Sequence, residues 1–454
     1  MSPEWVSIIA LALLFLVGTL LPINMGALAF VAAWLVGMYS LGLDEKEIIA
    51  GISGDLILTL VGVTYLFAIA RNNGTVDLIV RKAVQAVGGR VALIPWVMFF
   101  VTALLTAMGA ASPAACAIIG PIALGFAGRY KINPLLMGMF VVHGAQAGGF
   151  SPISIYGTIT NSVMSESDLP VGELTLFFSS LIVNFLIAVV LFVVLGGRQL
   201  TSRRIGSEEP ETEPEHAAAG GSTGTHRDRT TLGTGDDPAS GRAVSTEQPA
   251  TTSRAVAVDQ VITLIAFVAV AVIALVFDRN IGFTAITAAV ILTALFPKQQ
   301  KGAVSQVAWS TVLLVAGVST FASILEEAGA PEYVGTWAAG LGAAALGALI
   351  LCYVGGVVSA FASSTALLPI IIPISIPLIS GGGISGVALV AALAVSSTIV
   401  DVSPFSTNGA LMVANRPDTI TEEAFYRQIL RYSILVVVVG PLLVWAAIVL
   451  PGWL

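Results

Sequence analysis

Twice in this sequence an apolar run long enough to cross a bilayer is interrupted by the same short polar pattern. Ser151-Pro152-Ile153-Ser154-Ile155-Tyr156-Gly157 and Ser403-Pro404-Phe405-Ser406-Thr407-Asn408-Gly409 share Ser-Pro-x-Ser-x-x-Gly, and 403 − 151, 406 − 154 and 409 − 157 all equal 252. The same offset carries Ala111-Ser112-Pro113-Ala114 onto Ser363-Ser364-Thr365-Ala366, and Pro121 onto Pro373. An internal duplication is implied. In hydrocarbon, N–H and C=O groups freed at a Pro or Gly break must find partners, so irregular backbone survives only around protein or a cavity. Matching breaks in two halves therefore point to the binding site of a carrier.

The rest of the composition agrees with a membrane setting. Of 454 residues, 56% are hydrophobic and 10% charged, with a mean hydropathy of +0.93, which excludes an ordinary soluble domain. The net charge of −7 lies largely in loops and gives no sign of nucleic acid as a partner. Cys116 and Cys352 fall in apolar stretches, where they read as packing residues rather than a disulfide or metal framework. The N-terminus lacks the basic region and cleavage site of a secretory signal, so the first span is expected to be retained.

Hydropathy places spans at about 5–21, 23–40 and 56–70, then an amphipathic surface helix at 74–90. A re-entrant hairpin is expected at 91–126 with its tip near Ser112, a broken span at 132–163, and a closing span at 174–195. The second half repeats this: spans at 258–277, 281–296 and 307–325, a surface element at 329–341, and a Pro-rich hairpin at 342–379 with Ser363, Ser364 and Thr365 at its tip. A broken span at 387–413, a capped amphipathic segment at 424–432 and a final span at 433–450 complete the copy. The fold class is thus an all-α polytopic membrane protein of two inverted-topology repeats, each with a re-entrant hairpin and a broken transmembrane helix. Its units are 1–90, 91–196, a disordered linker at 197–256, 257–341 and 342–454. Clustering of Lys and Arg on one side, with only Lys46 and Arg279 outside it, puts the linker in the cytoplasm and both termini outside a plasma membrane. The two hairpins then open to opposite faces, the arrangement used for alternating access.

With those residues in place, the chain resembles the ion transporter superfamily, and within it the MatC-type malonate/dicarboxylate carriers related to divalent anion:sodium symporters. The resemblance spans nearly all of the chain except the linker and rests on the Ser112-Pro113 and Ser363-Ser364-Thr365 tips and the breaks at 151–157 and 403–409. It implies a secondary carrier of malonate or a C4-dicarboxylate, a homodimer, and a mobile unit of hairpins and broken spans moving as an elevator against a scaffold of early spans.

A dicarboxylate needs donors and positive potential, yet no Lys or Arg lies within an expected span. Half-helix N-termini can supply both, joined by Ser112, Ser154, Ser363, Ser364, Thr365, Ser406, Thr407 and the amide of Asn408. The competing reading is that such hydroxyls bond to their own helices or glue neighbours. Asp401 is the one carboxylate deep in a span, where an ion must be paired or hold a cation. It is expected to carry coupling, either as a proton site or as a sodium site with Ser151, Ser403, Gly157 and Gly409; the bland alternative is a neutral helix cap. His143 is the single histidine outside the linker and is either a substrate contact or proton carrier, or a packed hydrogen-bonding residue. No cofactor beyond a coupling sodium ion or proton is expected. A cation/proton antiporter, or a carrier of another organic anion such as gluconate or citrate, remains open as the alternative. An intramembrane enzyme is disfavoured, because no nucleophile and base or second metal ligand accompanies His143.

Overall fold

The computed structural model describes residues 2–21, 23–204, 258–277, 279–297, 302–339, 344–361, 364–381 and 383–452. These residues are helical throughout, apart from turns and one isolated bridge between Arg90 and Arg204. The first half runs α1 (Pro3–Leu20), α2 (Met25–Val36), α3 (Glu45–Ala50), α4 (Gly54–Asn72), α5 (Thr75–Ala86), α6 (Leu93–Ala107), α7 (Ser112–Arg129), α8 (Pro134–Gly148), α9 (Ile155–Glu166) and α10 (Glu173–Val194). The second runs α11 (Val258–Phe277), α12 (Ile281–Leu295), α13 (Trp309–Glu327), α14 (Ala330–Ala339), α15 (Ala344–Phe361), α16 (Ser364–Ser380), α17 (Gly386–Thr398), α18 (Thr407–Ala414) and α19 (Glu422–Ile448). Among the described residues, α4, α7, α10, α11, α13 and α19 are each long and apolar enough to cross a membrane. This is an integral membrane protein.

The duplication extends through the whole architecture. The starts of α7 and α16 (364 − 112), of α8 and α17 (386 − 134) and of α9 and α18 (407 − 155) are each 252 residues apart. Equivalent caps set these starts: Asn133 accepts from the first N–H groups of α8 and Ser385 from that of Ala388 in α17, while Ser154 and Ser406 cap α9 and α18. Packing between the halves comes in exchanged pairs. Helix α2 packs on α13 as α12 packs on α4, and α7 packs on α18 as α16 packs on α9. That exchange is the signature of a pseudo-two-fold axis. Taking α4, the broken pair α8–α9, α10, α11 and α12 as spans and α6–α7 as a re-entrant hairpin gives an odd number of passages between the starts of α4 and α13, so the equivalents run in opposite directions.

Burial separates the core from the lipid-facing shell. Every residue from Leu135 to Gly148 in α8 is buried, as is almost all of α17, which suits helices that are apolar on every face. By contrast, α10 and α11 expose Leu186, Val190, Ile265 and Val268. At ~1.5 Å per residue, the 15 residues of α8 span about 22 Å, which puts its broken end deep within the bilayer.

Three elements differ from the sequence expectation. The amphipathic segment at 424–432 and the last span form one continuous helix, α19, because neither Gly nor Pro separates them; its cap is Thr421, which accepts from Ala424 N–H. Helix α3 was missed, although Asp44 and Glu47 form a full capping box around it. The ordered fold also continues past 197: Gly197–Ser202 is a 3-10 helix and Val91 N–H donates to the Arg203 carbonyl. The rest of the expected linker, 205–256, lies outside the described residues.

Candidate functional site

Each break is built from the same three residues. In the second, the Ser406 hydroxyl proton is shared between the carbonyls of Ser403 at 2.7 Å and Asp401 at 2.6 Å, while its oxygen accepts from Gly409 N–H at 3.2 Å. In the first, Ser154 bonds likewise to the carbonyls of Ser151 and Gly149 and accepts from Gly157 N–H at 3.3 Å. Ser403 then donates to the Ala360 carbonyl at 3.0 Å, and Ser151 to the Ala107 carbonyl at 2.6 Å, so each break is tied to the first arm of its own hairpin. A Cβ on Gly157 or Gly409 would run into the carbonyl of Ser151 or Ser403. The backbone groups freed at mid-membrane are thus satisfied by the pattern that frees them.

Both tips meet the second break. Asn408, in the first turn of α18, donates to Ser112 Oγ at the first tip at 2.9 Å. Ser364, which opens α16 at the second tip, donates to Asp401 Oδ2 at 2.9 Å, and Ser359 Oγ stands 2.7 Å from Ser364 Oγ. Tyr156, in the first turn of α9, reaches from the first break to the same Asp401 Oδ2 at 3.4 Å. Asp401 is 7% exposed.

Two adjoining cavities open here, sharing Met25, Pro113 and Tyr156 as walls. The smaller, about 230 Å³, holds Ser364, Asp401, Ser406, Thr407 and Asn408. The larger, about 490 Å³, is lined by Ser112 and Thr365 from the tips, Gly149, and Asn24, Ser310 and Thr311 from the starts of α2 and α13. Six helices, α2, α7, α9, α13, α16 and α18, place first-turn residues on these walls. Among the described residues, no Lys, Arg or His lines either cavity. The positive potential is therefore that of converging helix N-termini. Asn408 Oδ1 is buried with no hydrogen-bond partner among the described residues, an acceptor available beside the Asp401 carboxylate.

Of the residues singled out in the sequence, the structure gathers Ser112, Ser364, Thr365, Asp401, Ser406, Thr407 and Asn408 around the two cavities. Ser151, Ser154, Ser403, Gly157 and Gly409 lie behind the walls, where they shape the breaks. Ser363 lies outside the described residues. His143 is fully buried away from both cavities; its Nδ1 meets Asn184 Oδ1 at 2.8 Å and its Nε2 the Tyr432 hydroxyl at 2.6 Å, tying α8 to α10 and α19. The sequence reading did not single out Asn24, Ser310, Thr311 or Tyr156. For Tyr156 a signal existed, since the 252-residue offset places it on Asn408 (408 − 156). Among the described residues no three His, Cys, Asp or Glu come together as a metal centre.

Residues 1–149 match the family model of the dicarboxylate carrier protein MatC N-terminus, and residues 272–452 match that of the citrate transporter family. Both halves carry a carrier signature. The chain is a membrane transporter. Its activity is secondary transport of organic anions rather than catalysis. Among solved structures, the YdaH transporter of Alcanivorax borkumensis, described as having an unusual topology, superposes with a TM-score of 0.54 over 88% of this chain and 86% of that one, at 14% identity. That likeness concerns the fold. No curated protein matches the sequence of the transporter.

Proposed function

We propose that the transporter moves a small dicarboxylate, malonate or a C4-dicarboxylate, together with a monovalent cation, sodium or proton, across the cytoplasmic membrane by elevator-type alternating access. The observation that carries this reading is the convergence of six helix N-termini on a cavity with no basic side chain among its described lining residues. Free N–H groups and aligned peptide dipoles favour anions, and Ser112, Thr365, Asn24, Ser310 and Thr311 add donors suited to carboxylates at separated points of the wall. Asp401 opposes an anion unless its own charge is neutralised, and taking an unpaired carboxylate into a low-dielectric interior is costly. A cation bound between Asp401 and the free Asn408 Oδ1, or a proton on Asp401, removes that conflict. Cation and anion then favour each other's binding, which is what symport requires.

The exchanged packing of α2 on α13 and α12 on α4 supplies a scaffold, against which the hairpins and broken spans can move as a unit. The match of residues 272–452 to citrate transporters favours citrate as the second reading of the anion. Uptake of radiolabelled malonate, succinate and citrate into proteoliposomes, with sodium and proton gradients imposed separately, tests the proposal. Gradient-driven accumulation of malonate or succinate is expected. Accumulation of citrate alone selects the second reading, and uptake unaffected by either gradient overturns cation coupling.

A further inference from the structure

The two cavities are separated by few side chains, and one of them touches both chemistries. Tyr156 lines the larger and the smaller cavity alike, and its hydroxyl faces Asp401 Oδ2 at 3.4 Å. This contact is longer than the usual 2.5–3.0 Å of an O–H···O bond, so little is lost when it is exchanged for a better one. The ring owes its place to a glycine. A Cβ at Gly149 would sit 2.8 Å from Tyr156 Cδ2, and Gly149 is the repeat equivalent of Asp401 (401 − 149 = 252). The first half carries no acid at this position, and the space is filled by a tyrosine that reaches the acid of the second half.

We propose that the Tyr156 hydroxyl couples the two cavities, donating to Asp401 when the smaller one is empty and to a carboxylate of the anion in the larger one once a cation has neutralised Asp401. The inference rests on the dicarboxylate symport reading above and names the residue that links its two ligands. The hydroxyl has one proton to donate, so it cannot serve both carboxylates at once. Asp401 competes for it while ionised and loses it when a sodium ion or proton takes its lone pairs. Ser364 remains on Asp401 at 2.9 Å in either case, so the carboxylate keeps a donor when Tyr156 leaves. The cation thereby prepares the anion site without any displacement of the backbone.

The test is equilibrium binding of radiolabelled malonate and succinate to purified full-length protein, measured across a sodium series and a pH series. The quantity read is the factor by which the cation tightens anion binding. Tyr156→Phe keeps the ring and the partition but lacks the proton. It is expected to weaken anion binding at saturating cation by about tenfold or more, the effect of one hydrogen bond to a charged group, and to bring the coupling factor close to one. Tyr156→Asn places here the residue that the second half carries at the same position; its short amide does not reach Asp401, and it is expected to uncouple likewise. A folded variant of either kind that keeps the wild-type coupling factor overturns the role of Tyr156 while leaving symport intact. Wild-type protein that binds these acids with no cation dependence, or does not bind them, overturns both.

Discussion

The first break carries Gly149 and Tyr156 where the second, 252 residues on, carries Asp401 and Asn408. The frame around those positions is shared: the Ser-Pro-x-Ser-x-x-Gly pattern, the serine that closes the turn, and the tie to the first hairpin arm. The difference teaches that duplication supplied the backbone solution to crossing a bilayer with a gap, and that a few side chains then divided the labour. The second break holds the acid. The first makes room, and sends a hydroxyl across.

The largest effects should fall on what the breaks share. Gly157→Ala and Gly409→Ala each drive a methyl into a backbone carbonyl that cannot retreat, at about 3 kcal/mol or more. Both should yield little folded protein by size-exclusion chromatography and a sharply lower melting temperature in detergent. If one is tolerated and the other not, the breaks are not mechanically equivalent. Next comes what they do not share. Asp401→Asn preserves shape and removes a charge, so gradient-driven uptake should drop by about 100-fold, the loss of a strong charged ligand contact, while melting stays at the wild-type value or rises. Wild-type response to sodium and pH gradients in this variant would remove the cation from the second break.

Asn408→Ala deprives Ser112 of its donor and the smaller cavity of its free amide oxygen. Uptake should weaken by about tenfold, from a net of ~1–1.5 kcal/mol, with folding maintained. The smallest effect on transport is expected at His143, whose repeat equivalent is Val395 (395 − 143). His143→Phe takes the histidine from Asn184 Oδ1 and from the Tyr432 hydroxyl and should lower stability by about 1–3 kcal/mol. The apparent affinity for the anion should move by no more than about twofold, within the scatter of such contacts far from a site. A larger change would enlist the first half's histidine in transport.

The sequence made the architecture legible because Pro and Gly are costly in a span, so a repeated pair of breaks had to mean something. Asp401 was legible for the same reason: a lone deep carboxylate needs an explanation. Tyr156 was not, because a tyrosine in an apolar helix start is ordinary packing until the other half of the chain is folded against it. Asn24, Ser310 and Thr311 were hidden as span ends, a place where polar residues cost nothing. His143 was overvalued, since rarity in a membrane is shared by functional histidines and by those, like this one, satisfied on both nitrogens within the packing. The continuity of α19 escaped because a change from amphipathic to apolar sequence reads as a boundary even when no residue there breaks a helix.

The absence of basic side chains among the described residues of the cavity walls has an electrical meaning. Helix dipoles attract an anion without adding net charge, so the charge that crosses with the loaded site is the sum of ligands and Asp401. A dianion beside ionised Asp401 brings three negative charges, and three monovalent cations make the passage indifferent to voltage. With two, one negative charge crosses, and the membrane potential acts on it with about 2.3 kcal/mol per 100 mV. The voltage dependence of the loaded translocation step therefore counts the cations bound, and neutralising Asp401 should shift the charge moved in that step by one.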